Sequence, residues 1–162
     1  MTQPRIKPKP PGLDRPSTTR MIKLMSAAHT WLYAKTGGRV GKHWRIGAAL
    51  RKAVPVCLLT TTGAKTGRPR TVPLCFMQDG QDVVLVASQG GLPTNPQWYR
   101  NLVKDPSVEI RIGRSVRHMR ARTADSDERA ERWPELVGLY ADFASYQTWT
   151  EREIPVVICS PS

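Results

Sequence analysis

Downstream of Val54 the chain alternates short apolar runs with turn residues, at a spacing that suits strands joined by hairpins. "VPVCLLTTT" (54–62) reads as a strand that ends in polar threonines. "RTVPLCFMQD" (70–79) is a second, and Pro73, which has no N–H to give, marks an edge or a bulge. Asp79–Gly80 is a hairpin signal, and "DVVLVAS" (82–88) has the continuous apolar look of a buried third strand. Asn95 as N-cap and Pro96 at the first helical position open a short helix that ends before Pro106. "SVEIRIG" and "SVRHMRART" alternate apolar and polar residues around Gly113–Arg114, a hairpin. Asp125 or Ser126 caps a helix, "SDERAERWPELVGLY", and a second helical stretch runs from about Phe143 to Thr150. "IPVVICS" is a closing strand.

Six strands joined mostly by hairpins, with helices before the fourth and the last, do not follow the alternation of a parallel sheet. They predict an α+β fold: a small antiparallel barrel with helices packed outside. The barrel domain spans 53–162. Residues 1–16, with five prolines among Arg5, Lys7 and Lys9, predict a disordered or polyproline arm. Residues 17–52 form a basic helical segment. Ser17 caps a helix from about Thr18 to Lys35 that Gly37–Gly38 break, and Val40–Lys52 suits another short helix. Ile22, Met25, Trp31 and Leu32 mark the apolar side of the first helix, beside Arg20, Lys23 and Lys35. Two readings stand: a helix packed on the domain, or a basic amphipathic helix that touches an anionic membrane. A barrel starting near Val54 does not need residues 1–35 for its core.

Charge sharpens this picture. The net charge is +12, and residues 1–70 hold 15 Lys/Arg against the single acid Asp14, so the excess lies in the first half. That half would meet an anionic partner: nucleic acid, a membrane surface or a polyanionic small molecule. Cys57, Cys75 and Cys159 show no CxxC and no Cys/His cluster, which excludes a zinc or disulfide framework and suits a reducing, cytoplasmic setting with no metal. No run approaches 18 apolar residues, and the N-terminus lacks a secretory core.

The candidate chemistry starts at "TTTGAKTGRPR" (60–70). Lys65 precedes Gly67 and a strand follows, so this is no Walker loop; the dinucleotide fingerprint is absent. Lys65-Thr66-Gly67 matches one β-lactamase motif, but the partner motifs are missing. A hairpin loop remains, whose N–H groups can converge at Gly63 and Gly67 while Lys65, Arg68 and Arg70 supply charged donors for an anion. A second glycine pair, in "ASQGG" (87–91), lies before the short helix, where backbone can approach a ligand. Trp98 and Asn101 share one face of that helix.

"LLTTTGAKTGRPRTVPLCF", "VASQGG", "NPQWYRNLVKDPSVEI" and "RAERWPELVGLY…YQTWTEREIPVVIC" together resemble the deazaflavin-dependent nitroreductase family of actinobacteria, over about residues 54–160. The resemblance implies a split β-barrel like that of flavin-mononucleotide-binding oxidases and the cofactor coenzyme F-420, whose phosphodiester and polyglutamate tail would want Lys65, Arg68 and Arg70. It implies that Leu58, Thr60, Gly63, Ala64, Thr66, Gly67, Ala87, Ser88, Gln89, Gly90, Gly91, Trp98 and Asn101 surround the rest of the cofactor. It puts Tyr140, Phe143 and Tyr146 on the acceptor side with Cys75, where Phe143 and Cys75 lack hydroxyls expected in prodrug-reducing members. Bulky nitroimidazoles are the substrates this puts in doubt.

The function so implied is hydride transfer from reduced coenzyme F-420 to a quinone, enone or nitroaromatic, with Tyr140 or Ser88 or solvent serving the developing anion. Two alternatives remain: the same barrel with flavin mononucleotide, or a non-catalytic basic module on anionic membrane or nucleic acid. The strands show little of the aromatic–basic interleaving that single-stranded nucleic acid needs. A homodimer and a peripheral position on the inner face of the cell membrane complete the expectations.

Overall fold

The computed structural model describes residues 5–13, 15–45 and 53–162. Six antiparallel strands close on themselves: β2 (Val54–Thr62), β3 (Pro69–Asp79), β4 (Asp82–Val86), β5 (Ser107–Ile112), β6 (Ser115–Thr123) and β7 (Val156–Pro161). Their order is β2-β3-β4-β7-β6-β5, and β5 returns to pair with β2 through Leu58↔Arg111 to Thr61↔Val108. A two-residue β1 (His43–Trp44) pairs with Pro55 and Val54. The helices are α1 (Pro16–Thr36), α2 (Gln97–Lys104), α3 (Ser126–Leu139) and α4 (Asp142–Thr148). This is the expected α+β six-stranded barrel.

The period of two along each strand sorts side chains to two faces. Cys57, Leu59, Val83, Leu85, Ile110, Met119, Val157 and Cys159 turn inward and are fully or nearly fully buried, with Trp98 and Leu102 of α2 in the same cluster. Val54, Val84, Val86 and Val156 turn outward and are covered by Leu136, Tyr140 and Phe143 of the α3–α4 region. A third cluster, outside β2, joins Val56 and Leu58 to Tyr33 of α1. Cys75, on β3, touches both outer clusters.

β3 pairs with β2 over Pro69–Cys75 but with β4 only over Phe76–Asp79. Its first half therefore has one neighbour, the split in the barrel, and Pro73 sits in that half, where a missing donor is tolerated.

Several local features differ from the sequence reading. Pro16, not Thr18, opens α1, with Arg15 at the N-cap; proline's fixed φ and missing N–H suit that first position, and Ser17 makes no cap. α2 starts after Pro96, because the Asn95 carboxamide is occupied by Arg152 rather than by the helix. His43–Trp44 is extended rather than helical, and residues 46–52 of the expected second helix lie outside the described residues. Asp125 does cap α3, in a reciprocal box with Glu128.

Contrary to the expectation that the barrel core needs nothing from residues 1–35, Tyr33 packs on it. Tyr33 is fully buried; its hydroxyl donates to the Val56 carbonyl (3.0 Å) and accepts from the Gly113 N–H (2.8 Å). Gly38, at φ 78°, follows so closely that a Cβ there would lie 2.7 Å from the Gly113 Cα. Met21, Ile22, Leu24, Met25, Trp31 and Leu32 of α1 are all exposed, Leu24 by 73% and Trp31 by 63%. The described residues of the N-terminal arm form no helix or strand, yet Lys7 lies on α4. Its N–H donates to Ser145 Oγ (2.9 Å), its carbonyl accepts from Trp149 Nε1 (2.8 Å), and its ammonium pairs with the buried Asp142 (2.5 Å).

Candidate cofactor and acceptor groove

The β2–β3 loop is a compact turn closed by its own backbone. The Gly63 N–H donates to the Arg68 carbonyl (2.9 Å), and the Thr66 and Gly67 N–H groups both donate to the Gly63 carbonyl (3.1 and 2.8 Å). The Ala64 N–H donates to Asn101 Oδ1 (3.0 Å). Most of the amides expected to cradle a phosphate are thus spent inside the loop. What the loop offers instead is side-chain charge. Lys65, Arg68 and Arg70 are exposed, and among the described residues none makes an ion pair or side-chain hydrogen bond. An anion with several negative groups would find three uncompensated cations here.

Asn101 is the loop's anchor. It is 1% exposed, gives its amide to Thr61 Oγ1 (3.0 Å) and accepts from Ala64 N–H and Gln97 Nε2 (3.0 Å each). Lys104 Nζ holds the Ala64 carbonyl (2.6 Å), so α2 grips one loop residue by both backbone polar groups. With its own polar atoms committed, Asn101 positions the loop. Trp98 and Ala87 face the barrel interior, 7% and 0% exposed.

The remaining expected residues gather on the outer surface. Leu58 and Thr60 lie on the outer face of β2, where the Thr60 hydroxyl meets the Thr71 hydroxyl of β3 (2.8 Å). Cys75 is the floor between α1 and the α3–α4 aromatics. Tyr140, Phe143 and Tyr146 form one aromatic cluster, the first two buried: the Tyr140 ring is edge-on to Phe143 (5.1 Å, 82°), and the Tyr140 and Tyr146 hydroxyls share a hydrogen bond (3.2 Å). Burial raises the Tyr146 phenol above its ordinary value, so it stays protonated and can donate. Burial also pushes the Cys75 thiol up to about 12, so it is no nucleophile at neutral pH.

Ser88 to Gly91 form the turn that follows β4. Ser88 is right-handed (φ −72°, ψ −37°), while Gln89, Gly90 and Gly91 follow with φ of 46°, 63° and 77°. The Gly91 position is required by contact as well as by φ: a Cβ would lie 3.0 Å from both the Tyr146 carbonyl and the Trp149 ring. The sequence reading overlooked Arg152. Its Nε donates to the Leu92 carbonyl (3.0 Å), Nη1 to Asn95 Oδ1 (2.8 Å), and Nη2 to the Ala87 and Ser88 carbonyls (3.2 and 2.9 Å). Its signal was faint: one basic residue in the acidic "TEREIP" stretch before the last strand.

Two open hollows among the described residues share Thr60 with this surface, the larger also reaching Gly67 and the smaller Leu58. One of about 400 Å³ lies beside β2, β5 and β6, lined by Thr60, Gly67, Glu109 and His118 among others. One of about 180 Å³ lies between Thr30 and Ala34 of α1 and Leu58, Thr60 and Arg111. Neither includes Lys65, Ser88 or Tyr140. The unpaired cations and the glycine turn, rather than the larger hollow, carry groups able to bind an anionic ligand.

A barrel split along β3, with a cationic loop and an aromatic wall beside the split, defines a split-barrel oxidoreductase scaffold. The chain belongs to the F420H(2)-dependent quinone reductase family, whose sequence profile matches residues 25–161. It is 36% identical over 149 residues to the F420H(2)-dependent quinone reductase Rv1261c of Mycobacterium tuberculosis, covering 90% of this chain and 93% of that one. A shorter relative from the same organism is 50% identical over 117 residues, 72% of this chain and 98% of its own. Among solved structures, an F420-H2 dependent reductase (FDR-A) superposes with a TM-score of 0.61 at 41% identity, over 65% of this chain and 94% of that chain. A domain-swapped dimer superposes with a TM-score of 0.64 at 33% identity, over 88% and 99%. The family resemblance drawn from the sequence holds: the protein is an oxidoreductase, and its cofactor is coenzyme F-420.

Proposed function

We propose that the groove over β3 holds the cofactor and a quinone together, with the charged tail of coenzyme F-420 on Lys65, Arg68 and Arg70. The observation that carries this reading is the set of three unpaired cations on a loop that α2 pins beside the open half of β3. Reduced coenzyme F-420, when bound, supplies the hydride. The protein's residues bind, orient and keep water out. Thr60 and Cys75 would form the floor over buried Leu58, Ser88–Gly91 the end, and Tyr146, the part-exposed ring beside buried Tyr140 and Phe143, the side against which a flat quinone stacks. The Tyr146 phenol, kept protonated by burial, would offer a hydrogen bond to a quinone oxygen, and Ser88 would serve as a second hydroxyl. The small Cys75 thiol and the ring of Phe143 leave no extra donor for a nitro group, which favours quinones over bulky nitroimidazoles.

The exposed stripe of α1 supports a place for the enzyme at an anionic membrane. Six large apolar side chains beside Arg20, Lys23 and Lys35 suit burial at a headgroup boundary, each cation adding about 1 kcal/mol near such a surface. The same helix packs against the groove floor through Tyr33, so a lipid-soluble quinone would enter from the surface α1 touches.

The test is a fluorescence titration with oxidised coenzyme F-420, followed by reduction of menadione under anaerobic conditions. Replacing Lys65 and Arg70 together with alanine removes two charge-assisted contacts of about 1.5–3 kcal/mol each, so affinity should fall at least 100-fold. Unchanged affinity in the double variant would place the tail elsewhere.

A further inference from the structure

The N-terminal arm is tied down at two points. Near α1 the Gly12 carbonyl accepts from the Arg15 N–H (3.1 Å) and from Thr18 Oγ1 (3.0 Å). Further out, Lys7 meets α4 through its N–H, its carbonyl and its ammonium, at Ser145 Oγ, Trp149 Nε1 and the Asp142 carboxylate. Between the two points Pro8, Pro10 and Pro11 fix φ, so the arm has little freedom left to lose when it docks. Asp142, Ser145 and Trp149 fall at i, i+3 and i+7, along one side of α4 and its C-terminal cap. Two of them are built into the protein: Ser145 is 0% and Asp142 5% exposed. The helix they belong to needs such support. It has seven residues and no side-chain bond at its N-cap, too short to hold its own shape in water. Phe143 and Tyr146 of the same helix pack in the outer aromatic cluster, and the Trp149 ring lies on Tyr146 (5.2 Å, 59°).

We propose that Lys7 is a positioning residue for the acceptor: it clasps α4 from outside, so that Tyr146 is in place before a quinone arrives. The inference rests on the reading above that Tyr146 faces the acceptor. Residues 5–9 lie outside 25–161, the stretch the family profile matches, so family membership assigns the arm no role. Each group of Lys7 has its own part in the clasp. Asp142 is nearly out of water, where a carboxylate gains most from a hydrogen-bonded cation, and Lys7 Nζ brings one to 2.5 Å from a side chain that is half exposed. The two backbone bonds fix the register of the arm. A slip by one residue in one direction would bring Pro8 to Ser145, and proline has no N–H to give. With the clasp closed, the cost of ordering α4 is met once, on folding. With it open, each acceptor must order the helix as it binds, and its affinity falls by that amount. Lys7 thus acts through α4 and Tyr146.

The test uses the full chain with reduced coenzyme F-420 under anaerobic conditions and menadione as the acceptor. Lys7→Met keeps the stem and removes the ammonium. Its menadione KM should rise about tenfold with kcat within about twofold of wild type, the pattern of lost binding that ground and transition states share. Coenzyme affinity, from a fluorescence titration, should stay within about twofold. Lys7→Arg keeps a cation and should recover most of the KM. In an Asp142→Asn background Lys7→Met should add nothing further, because the clasp is already open. Trp149→Phe gives a second route: it keeps a ring against Tyr146 and removes only the indole donor to the Lys7 carbonyl. Its menadione KM should rise as well. The Lys7 amide, held by Ser145 in wild type, should then exchange its hydrogen faster. A structural role alone would lower the melting temperature of these variants and leave the menadione KM where it was. That result, with coenzyme binding intact, overturns the clasp while the cofactor reading stands. A KM change matched by an equal loss of coenzyme affinity also overturns it, because α4 would then serve the cofactor. Failure of wild type to bind coenzyme F-420 overturns the groove reading and the clasp with it.

Discussion

Replacing Asn101 with alanine should separate what holds the fold from what holds the ligand. Three hydrogen bonds meet on this 1%-exposed side chain, from Ala64 N–H and Gln97 Nε2 and to Thr61 Oγ1. At about 0.5–1.5 kcal/mol each, their loss should destabilise the protein by about 2–4 kcal/mol. For a chain of this length that is a drop in melting temperature of about 5–12 °C. The effect on binding has a different origin. Freed of its anchor, the Gly63–Gly67 loop must be reordered whenever ligand binds, at about 1–2 kcal/mol per residue fixed. Coenzyme affinity should therefore fall at least tenfold, even at temperatures where the variant is fully folded. Scanning calorimetry gives the first number and a fluorescence titration with coenzyme F-420 the second. Lys104→Met, which removes only the carbonyl anchor at Ala64, should weaken binding less and barely move the melting temperature. If Asn101→Ala melts early but binds as tightly as wild type, the loop does not carry the cofactor, or Asn101 does not position it.

Gly91→Ala should cost more than 2 kcal/mol in urea unfolding, roughly the sum of a strained left-handed φ of 77° and a Cβ 3.0 Å from the Tyr146 carbonyl. Glu128 is drawn down to about 2 by its two hydrogen bonds to Arg122 and by the Asp125 N–H. A depressed carboxylate contributes stability above its unfolded pKa and loses it as pH falls toward 2, so Glu128→Gln should be less stable than wild type at pH 7 and indistinguishable near pH 2. Burial raises all three thiols, Cys75 and Cys159 to about 12, so iodoacetamide at pH 8 should label the native protein slowly and the urea-unfolded protein fully. Full-length protein should sediment with phosphatidylglycerol vesicles at low salt, and Leu24→Glu with Trp31→Glu should abolish this while leaving coenzyme binding intact. If wild type stays in the supernatant and elutes as a dimer that the same pair dissociates, the α1 stripe pairs two copies instead.

The strands were legible because their signals are local. Alternation marked β5 and β6, a continuous apolar run marked β4, and Asp79–Gly80 marked the turn between β3 and β4. The cationic loop was legible as composition, since charge needs no partner to be seen. Its amides were not, because whether Ala64 N–H faces a ligand or Asn101 depends on a contact 37 residues away. Arg152 was illegible for the same reason: it serves carbonyls up to 65 residues distant, and no periodicity marks a side chain whose work is to bind backbone. Tyr33 misled in the opposite sense. Its helix looked separable because the stripe of Met21, Leu24 and Trp31 dominates the pattern, while one buried phenol on the other face fixes the helix to the barrel.

Cys75 lies at the seam of the two outer clusters, touching Tyr33's neighbourhood on one side and the α3–α4 aromatics on the other. None of the groove's floor or wall belongs to the sealed interior packed around Leu59, Leu85 and Ile110. Selection for a new acceptor can then act on the floor and wall with little penalty inside the barrel. A bulkier or hydroxylated side chain at 75 would change how deep and how polar the groove is, and the interior would not register the exchange. An exchange at 75 therefore reaches α1 and the α3–α4 aromatics at once while leaving the interior cluster untouched.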